Sequence, residues 1–157
     1  MFKLSPEGEA FVKSELARYE TKESAIIPSL YQVQKEHEGW VPPEAIQYLS
    51  SFMEIPASRI NEVFHFYTMF NKEPVGKYHV QVCCNVACAM AGTREMIEDF
   101  CKDYGVDENE MTKDKRFTFT RVECLGACDK APMMQVNDDY YEGLTLDSAK
   151  KILREFK

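Results

Sequence analysis

Tyr78-His79-Val80-Gln81-Val82-Cys83-Cys84-Asn85-Val86-Ala87-Cys88 alternates apolar and polar side chains and then runs into three cysteines. The period-two alternation of Tyr78, Val80 and Val82 with His79 and Gln81 predicts a β-strand. Phe117 to Val122 predicts a second strand, which runs into Cys124-Leu125-Gly126-Ala127-Cys128. Each strand thus delivers a short cysteine motif to its own end, where loops on a rigid sheet converge.

Outward from these strands, Gly92-Thr93 opens a predicted helix with the stripe Met96, Ile97, Phe100, Cys101 and Tyr104, closed by Gly105. Residues 107–116 are charged and aperiodic and predict a loop, with 107–110 a solvated turn. Met133 to Val136 and Tyr140 to Leu144 flank Asn137-Asp138-Asp139, a predicted hairpin turn. Thr145 caps a last helix that buries Ala149, Ile152, Leu153 and Phe156. The order β-α-β-β-β-α implies a sheet covered by helices.

Toward the N-terminus the period is helical. Ser5-Pro6-Glu7 supplies a hydroxyl cap, a first-turn proline and an acid, followed by Phe11, Val12, Leu16 and Tyr19. A second helix carries Ile26, Ile27, Leu30, Tyr31 and Val33, with Pro28 in its first turn and a stop at Gly39. Pro42-Pro43-Glu44 starts a third helix with Ile46, Leu49 and Met53 on one face. The fourth follows Pro56 and carries Ile60, Val63, Phe64 and Tyr67. Four such segments make a small helical bundle. Asn71-Lys72-Glu73-Pro74-Val75-Gly76 reads as a linker, giving a bundle domain over 1–75 and a second domain over 76–157.

The chain has 157 residues, 45% apolar and 29% charged, which excludes disordered and low-complexity classes. Its net charge of -7 argues against nucleic acid as a partner. No apolar run approaches the ~20 residues of a bilayer span, so direct membrane insertion is not expected. Met1-Phe2-Lys3-Leu4-Ser5-Pro6-Glu7 has no apolar core of a secretion signal. No glycine-rich phosphate fingerprint follows a strand, so NAD and FMN are not expected on this chain.

Six cysteines all lie beyond residue 82. A disulfide framework belongs to small secreted chains, which this sequence does not resemble. The simplest four-thiolate set is Cys83, Cys88, Cys124 and Cys128, one C-x4-C pair and one C-x3-C pair. Two pairs from two loops suit a [2Fe–2S] cluster, one pair for each iron. Gly92 and Gly126 would let backbone N–H groups approach its sulfurs. Structural zinc suits C-x3-C, with C-x4-C at its margin, and gives a rival reading as a zinc-stapled binding module. No C-x-x-C exists for a thioredoxin-type dithiol, and His37, His65 and His79 lie outside both loops, against a Rieske centre. A lone catalytic cysteine would leave three thiols unexplained. Spacing leaves Cys83 and Cys84 as competing ligands. Cys101 reads as a core thiol, and the Phe64, Phe66, Tyr67 and Phe70 group as core and interface packing. Trp40 reads as a packing anchor and His79 as an exposed or edge residue.

Several of these stretches carry a resemblance. They are Gly39-Trp40-Val41-Pro42-Pro43-Glu44, Phe66-Tyr67-Thr68-Met69-Phe70, Val82-Cys83, Asn85-Val86-Ala87-Cys88, Gly92, Cys124-Leu125-Gly126-Ala127-Cys128 and Ala131-Pro132. Over nearly its whole length the chain resembles the NuoE family, the thioredoxin-like [2Fe–2S] subunit of NADH:quinone oxidoreductase (respiratory complex I). Related subunits occur in NAD-linked hydrogenases and formate dehydrogenases. The resemblance implies an α+β chain, an N-terminal helical bundle followed by a thioredoxin-like domain. It implies one cluster on Cys83, Cys88, Cys124 and Cys128, with Cys84 at a variable position of the motif. It also implies single-electron exchange with an FMN- and NADH-binding partner subunit, contact with other complex I subunits, and a cytoplasmic place peripheral to the membrane.

Overall fold

The computed structural model describes residues 2–157. The chain is α+β and divides into two compact units, one up to Pro74 and one from Val75 onward.

The first unit is helical. Helix α1 (Pro6–Arg18) begins where the Ser5 hydroxyl accepts the Gly8 N–H at 3.0 Å. The Ser5 N–H in turn donates to the Glu36 carboxylate at 2.8 Å, tying this start to the end of α2 (Ile26–Glu36). A 3-10 turn, Lys22–Ala25, leads into α2, and Pro28 sits in the first turn, where a missing N–H costs nothing. Helix α2 ends ahead of Gly39, with Glu38 and Gly39 both at positive φ (48° and 83°). Helices α3 (Pro43–Met53) and α4 (Ala57–Phe66) each follow a proline. Val12, Leu30, Val33, Ala45, Leu49 and Ile60 form the buried centre. Phe64 and Phe70 join it, but Phe66 is 78% exposed. Residues two apart lie about 200° apart around a helix, so Phe64 and Phe66 cannot both face inward.

The second unit is a four-stranded sheet in the order β2-β1-β3-β4, made by β1 (Tyr78–Cys83), β2 (Phe117–Val122), β3 (Met134–Val136) and β4 (Asp139–Tyr141). Strands β1 and β2 are parallel and their crossover contains α6 (Thr93–Tyr104); the other pairings are antiparallel. Helix α7 (Leu146–Glu155) closes the chain behind a Thr145–Ser148 capping box. Val80, Val82, Phe117, Phe119, Met134 and Val136 pack on Met96, Ile97 and Phe100 of α6 and Ala149 and Leu153 of α7. Both helices therefore cover the same sheet face. The hairpin is tighter than expected: Asn137 takes φ 53° and β4 already begins at Asp139. One helix was not anticipated, α5 (Val86–Met90), which is too short to show a period.

His79 corrects an expectation. It is buried, with Thr118 opposite it on β2 and Thr120 beside its ring. Its Nε2 lies 2.8 Å from the Thr120 hydroxyl. Burial holds its pKa down at about 4, from an ordinary 6.5. Between these values the unfolded chain binds the extra proton, so stability falls as pH drops from about 6.5 to about 4. The full loss from this residue is about 3 kcal/mol. Denaturant titrations at pH 7 and pH 4.5 should show a smaller acid loss for His79→Phe than for the parent chain.

Candidate metal centre

The parallel register of β1 and β2 runs from Tyr78↔Phe117 to Cys83↔Val122, so both strands end at one level. The ladder runs one residue into the first loop, since the Cys84 N–H donates to the Val122 carbonyl at 2.8 Å. Two cysteine loops are thereby set side by side. The Cys83 thiol donates to the Glu123 carbonyl at 3.0 Å, directly before Cys124. The Asn85 side chain accepts the Val86 N–H at 2.7 Å, starting α5, and its Nδ2 lies 3.3 Å from the Glu123 carboxylate. An asparagine cap on α5 is the one sequence signal that could have revealed this helix.

The thiols fall into distinct settings. Cys83 and Cys88 share a buried group with Ala127 and Met133, against which Leu125 and Ala131 pack. Cys84 belongs to the other buried group, between the sheet and α6. Adjacent residues at a strand end point to opposite faces, which is why Cys83 and Cys84 part company. Cys101 is half-buried on α6 and packs against that same core. Cys124 and Cys128 are exposed, with their sulfurs 3.7 Å apart. The Gly126 N–H donates to the Cys124 sulfur at 3.4 Å, from a backbone at φ 84° that favours glycine. The Ala131–Pro132 peptide bond is cis. Met133, Glu123 and Asn85 were not picked out by spacing, because they serve the site through burial, a carbonyl and a cap.

The electrostatics show what the set lacks. Burial pushes the Cys88 thiol up to about 11, and the hydrogen bond and charge of Cys83 add to it. The Cys128 thiol is raised chiefly by its hydrogen bond with Cys124 and by that group's charge, with Cys83 contributing. Thiolates this close repel one another unless a cation lies among them. A tetrahedral metal with thiolate bonds of about 2.3 Å holds two sulfurs about 3.8 Å apart. The 3.7 Å separation of Cys124 and Cys128 fits that requirement. The donors come as pairs, Cys83 with Cys88 and Cys124 with Cys128, and one pair for each of two metal atoms is an arrangement they fit.

A parallel strand pair with cysteine loops at its coincident ends, backed by helices, defines a thioredoxin-like protein of the cluster-binding class. Residues 12–157 match the family described as thioredoxin-like [2Fe–2S] ferredoxin, and the chain belongs to that family. Its cofactor class is accordingly an iron–sulfur cluster. The chain is 43% identical over 138 residues to the NADH-quinone oxidoreductase E subunit of Rickettsia bellii, covering 88% of this chain and 83% of the relative. Identity to the Rickettsia conorii E subunit is 46% over 132 residues, 84% of this chain and 79% of that one. For an E subunit of Rhizobium meliloti it is 36% over 146 residues, 93% and 86% of the two chains. Among solved structures, an NAD+-reducing [NiFe]-hydrogenase in the air-oxidized state superposes with a TM-score of 0.69 at 21% identity. That match covers 84% of this chain but 23% of the other, and it speaks for the fold.

Exposure ranks the thiols by reactivity. In metal-free protein under native conditions, iodoacetamide should modify Cys124 and Cys128 first, with Cys83, Cys84 and Cys88 protected until denaturant is added. Peptide mass spectrometry reads the order directly.

Proposed function

We propose that this chain is the electron-transfer component of an NADH-quinone oxidoreductase (complex I), with one [2Fe–2S] cluster held by Cys83, Cys88, Cys124 and Cys128. The observation that carries this reading is the pairing of thiols at the level ends of β1 and β2. The bound cluster would supply one-electron chemistry, whereas thiols exchange electrons in pairs through disulfides. The protein contributes placement and electrostatics. Cys83 and Cys88 would hold the inner metal in a dry setting lined by Met133 and Ala127. Cys124 and Cys128 would hold the outer one, with the Gly126 N–H beside a sulfur.

Single electrons would pass to and from FMN on an NADH-binding partner subunit, FMN and NADH both residing on that partner. The curated relatives support this host, since they are E subunits of the quinone-linked enzyme and match over most of their length. The two structural units would correspond to a bundle domain and a cluster domain, and other subunits of the complex would complete the surroundings. Among the described residues no helix is long and apolar enough to cross a membrane. Attachment at the cytoplasmic side would come through partners. A hydrogenase host is the second reading, since the NAD+-reducing [NiFe]-hydrogenase shares the fold. The match to the family described as thioredoxin-like [2Fe–2S] ferredoxin supports a cluster over a zinc-stapled module, in which one ion would take all four thiolates.

Purified, dithionite-reduced chain should give an electron paramagnetic resonance signal with two irons and two sulfides per molecule. Cys83→Ser and Cys124→Ser should lose most of that signal, while Cys84→Ser keeps it. Colourless protein containing zinc and no iron refutes the proposal, as does a full-strength signal in Cys124→Ser.

A further inference from the structure

The two cysteine loops are held in different ways. Cys83 and Cys88 are 2% and 1% exposed, so packing fixes them. Cys124 and Cys128 are exposed, and the segment between them adds polar ties at both ends to the packing of Leu125 and Ala127. The Tyr140 hydroxyl donates to the Leu125 carbonyl at 2.7 Å. At the far end the Gly143 N–H donates to the Lys130 carbonyl at 2.8 Å, and Lys130 pairs with Glu142 at 2.9 Å. Residues 125–130 are therefore gripped at both ends by residues 140–143.

The grip refers the loop to the strand that carries the buried pair. Tyr140 lies opposite Gln135 of β3, and Gln135 lies opposite Gln81 of β1, two residues before Cys83. The Leu125 carbonyl and the Gly126 N–H belong to one planar trans peptide, whose C=O and N–H point in opposite directions. Fixing the carbonyl therefore aims the N–H, and that N–H is the donor to the Cys124 sulfur at 3.4 Å.

We propose that Tyr140 is a positioning residue: by holding the Leu125–Gly126 peptide it keeps an N–H on the Cys124 sulfur and so raises the reduction potential of the cluster. The inference rests on the [2Fe–2S] reading above. An added electron increases negative charge at the sulfurs, and an aimed donor favours that state. No protein bond forms or breaks in the step. A tyrosine serving only surface stability would move the melting temperature and leave the potential alone.

The test is a dye-mediated redox titration of the full chain, followed by electron paramagnetic resonance. Tyr140→Phe should retain the parent's iron and sulfide content, shift to a lower midpoint, and lose iron to a chelator roughly tenfold faster. Tyr141→Phe, its neighbour, should match the parent in both. A parent-like midpoint in Tyr140→Phe overturns this inference and leaves the cluster reading standing, whereas a parent chain without iron overturns both. A further measurement needs no iron: in metal-free protein the Gly126 amide should exchange with solvent faster in Tyr140→Phe, and an unchanged rate overturns the proposal.

Discussion

The in-register parallel pairing of β1 with β2 is the constraint on which the rest depends. It aligns Cys83 with Val122 at the last rung, so both loops leave the sheet at one height. A slip of one residue would turn Cys83 into the α6 side of the sheet and Cys84 out of it. The register is held from below by the core: Val80, Val82, Phe117 and Phe119 all face α6 and α7, and a one-residue slip of β1 would turn Val80 and Val82 away from that core. Burying that apolar face, the dominant favourable term in folding, thus also decides which thiol faces the site.

The site is asymmetric as a result. One pair sits where desolvation is the main cause pushing Cys88 up to about 11, while the other pair meets solvent. Packing positions the inner donors, while the outer ones depend on hydrogen bonds as well as on the packing of Leu125 and Ala127. The inner pair answers to side-chain volume at Met133, the outer to the peptide geometry around Gly126, and Ala127 touches both.

Much of this was legible in the sequence. Ser5-Pro6 and Pro42-Pro43 announce helix starts because a proline in the first turn has no N–H to lose. Phe117–Val122 matches β2 at both ends, since its alternation is clean and charged residues bound it. Other features depend on tertiary context. His79 alternates like an exposed strand residue, but Thr118 and Thr120 of β2 flank it and it is buried, and which strand lies beside it is not written in local periodicity. Spacing left Cys83 and Cys84 open because it counts residues and not faces; the strand's pleat assigns them to different buried groups. The tie from Tyr140 to Leu125 spans fifteen residues and leaves no local mark at either end.

The hairpin's shortness has a consequence for the molecule in a crowded solution. Strand β4 is three residues long, and Asp138, Asp139 and Glu142 cluster at or beside it, so that rim offers little template for intermolecular strand addition. At the opposite rim, Met111 bridges to Thr118, and the Asn109 and Thr112 N–H groups take up the Phe119 and Phe117 carbonyls. Both margins of the sheet are thereby blunted against edge-to-edge aggregation.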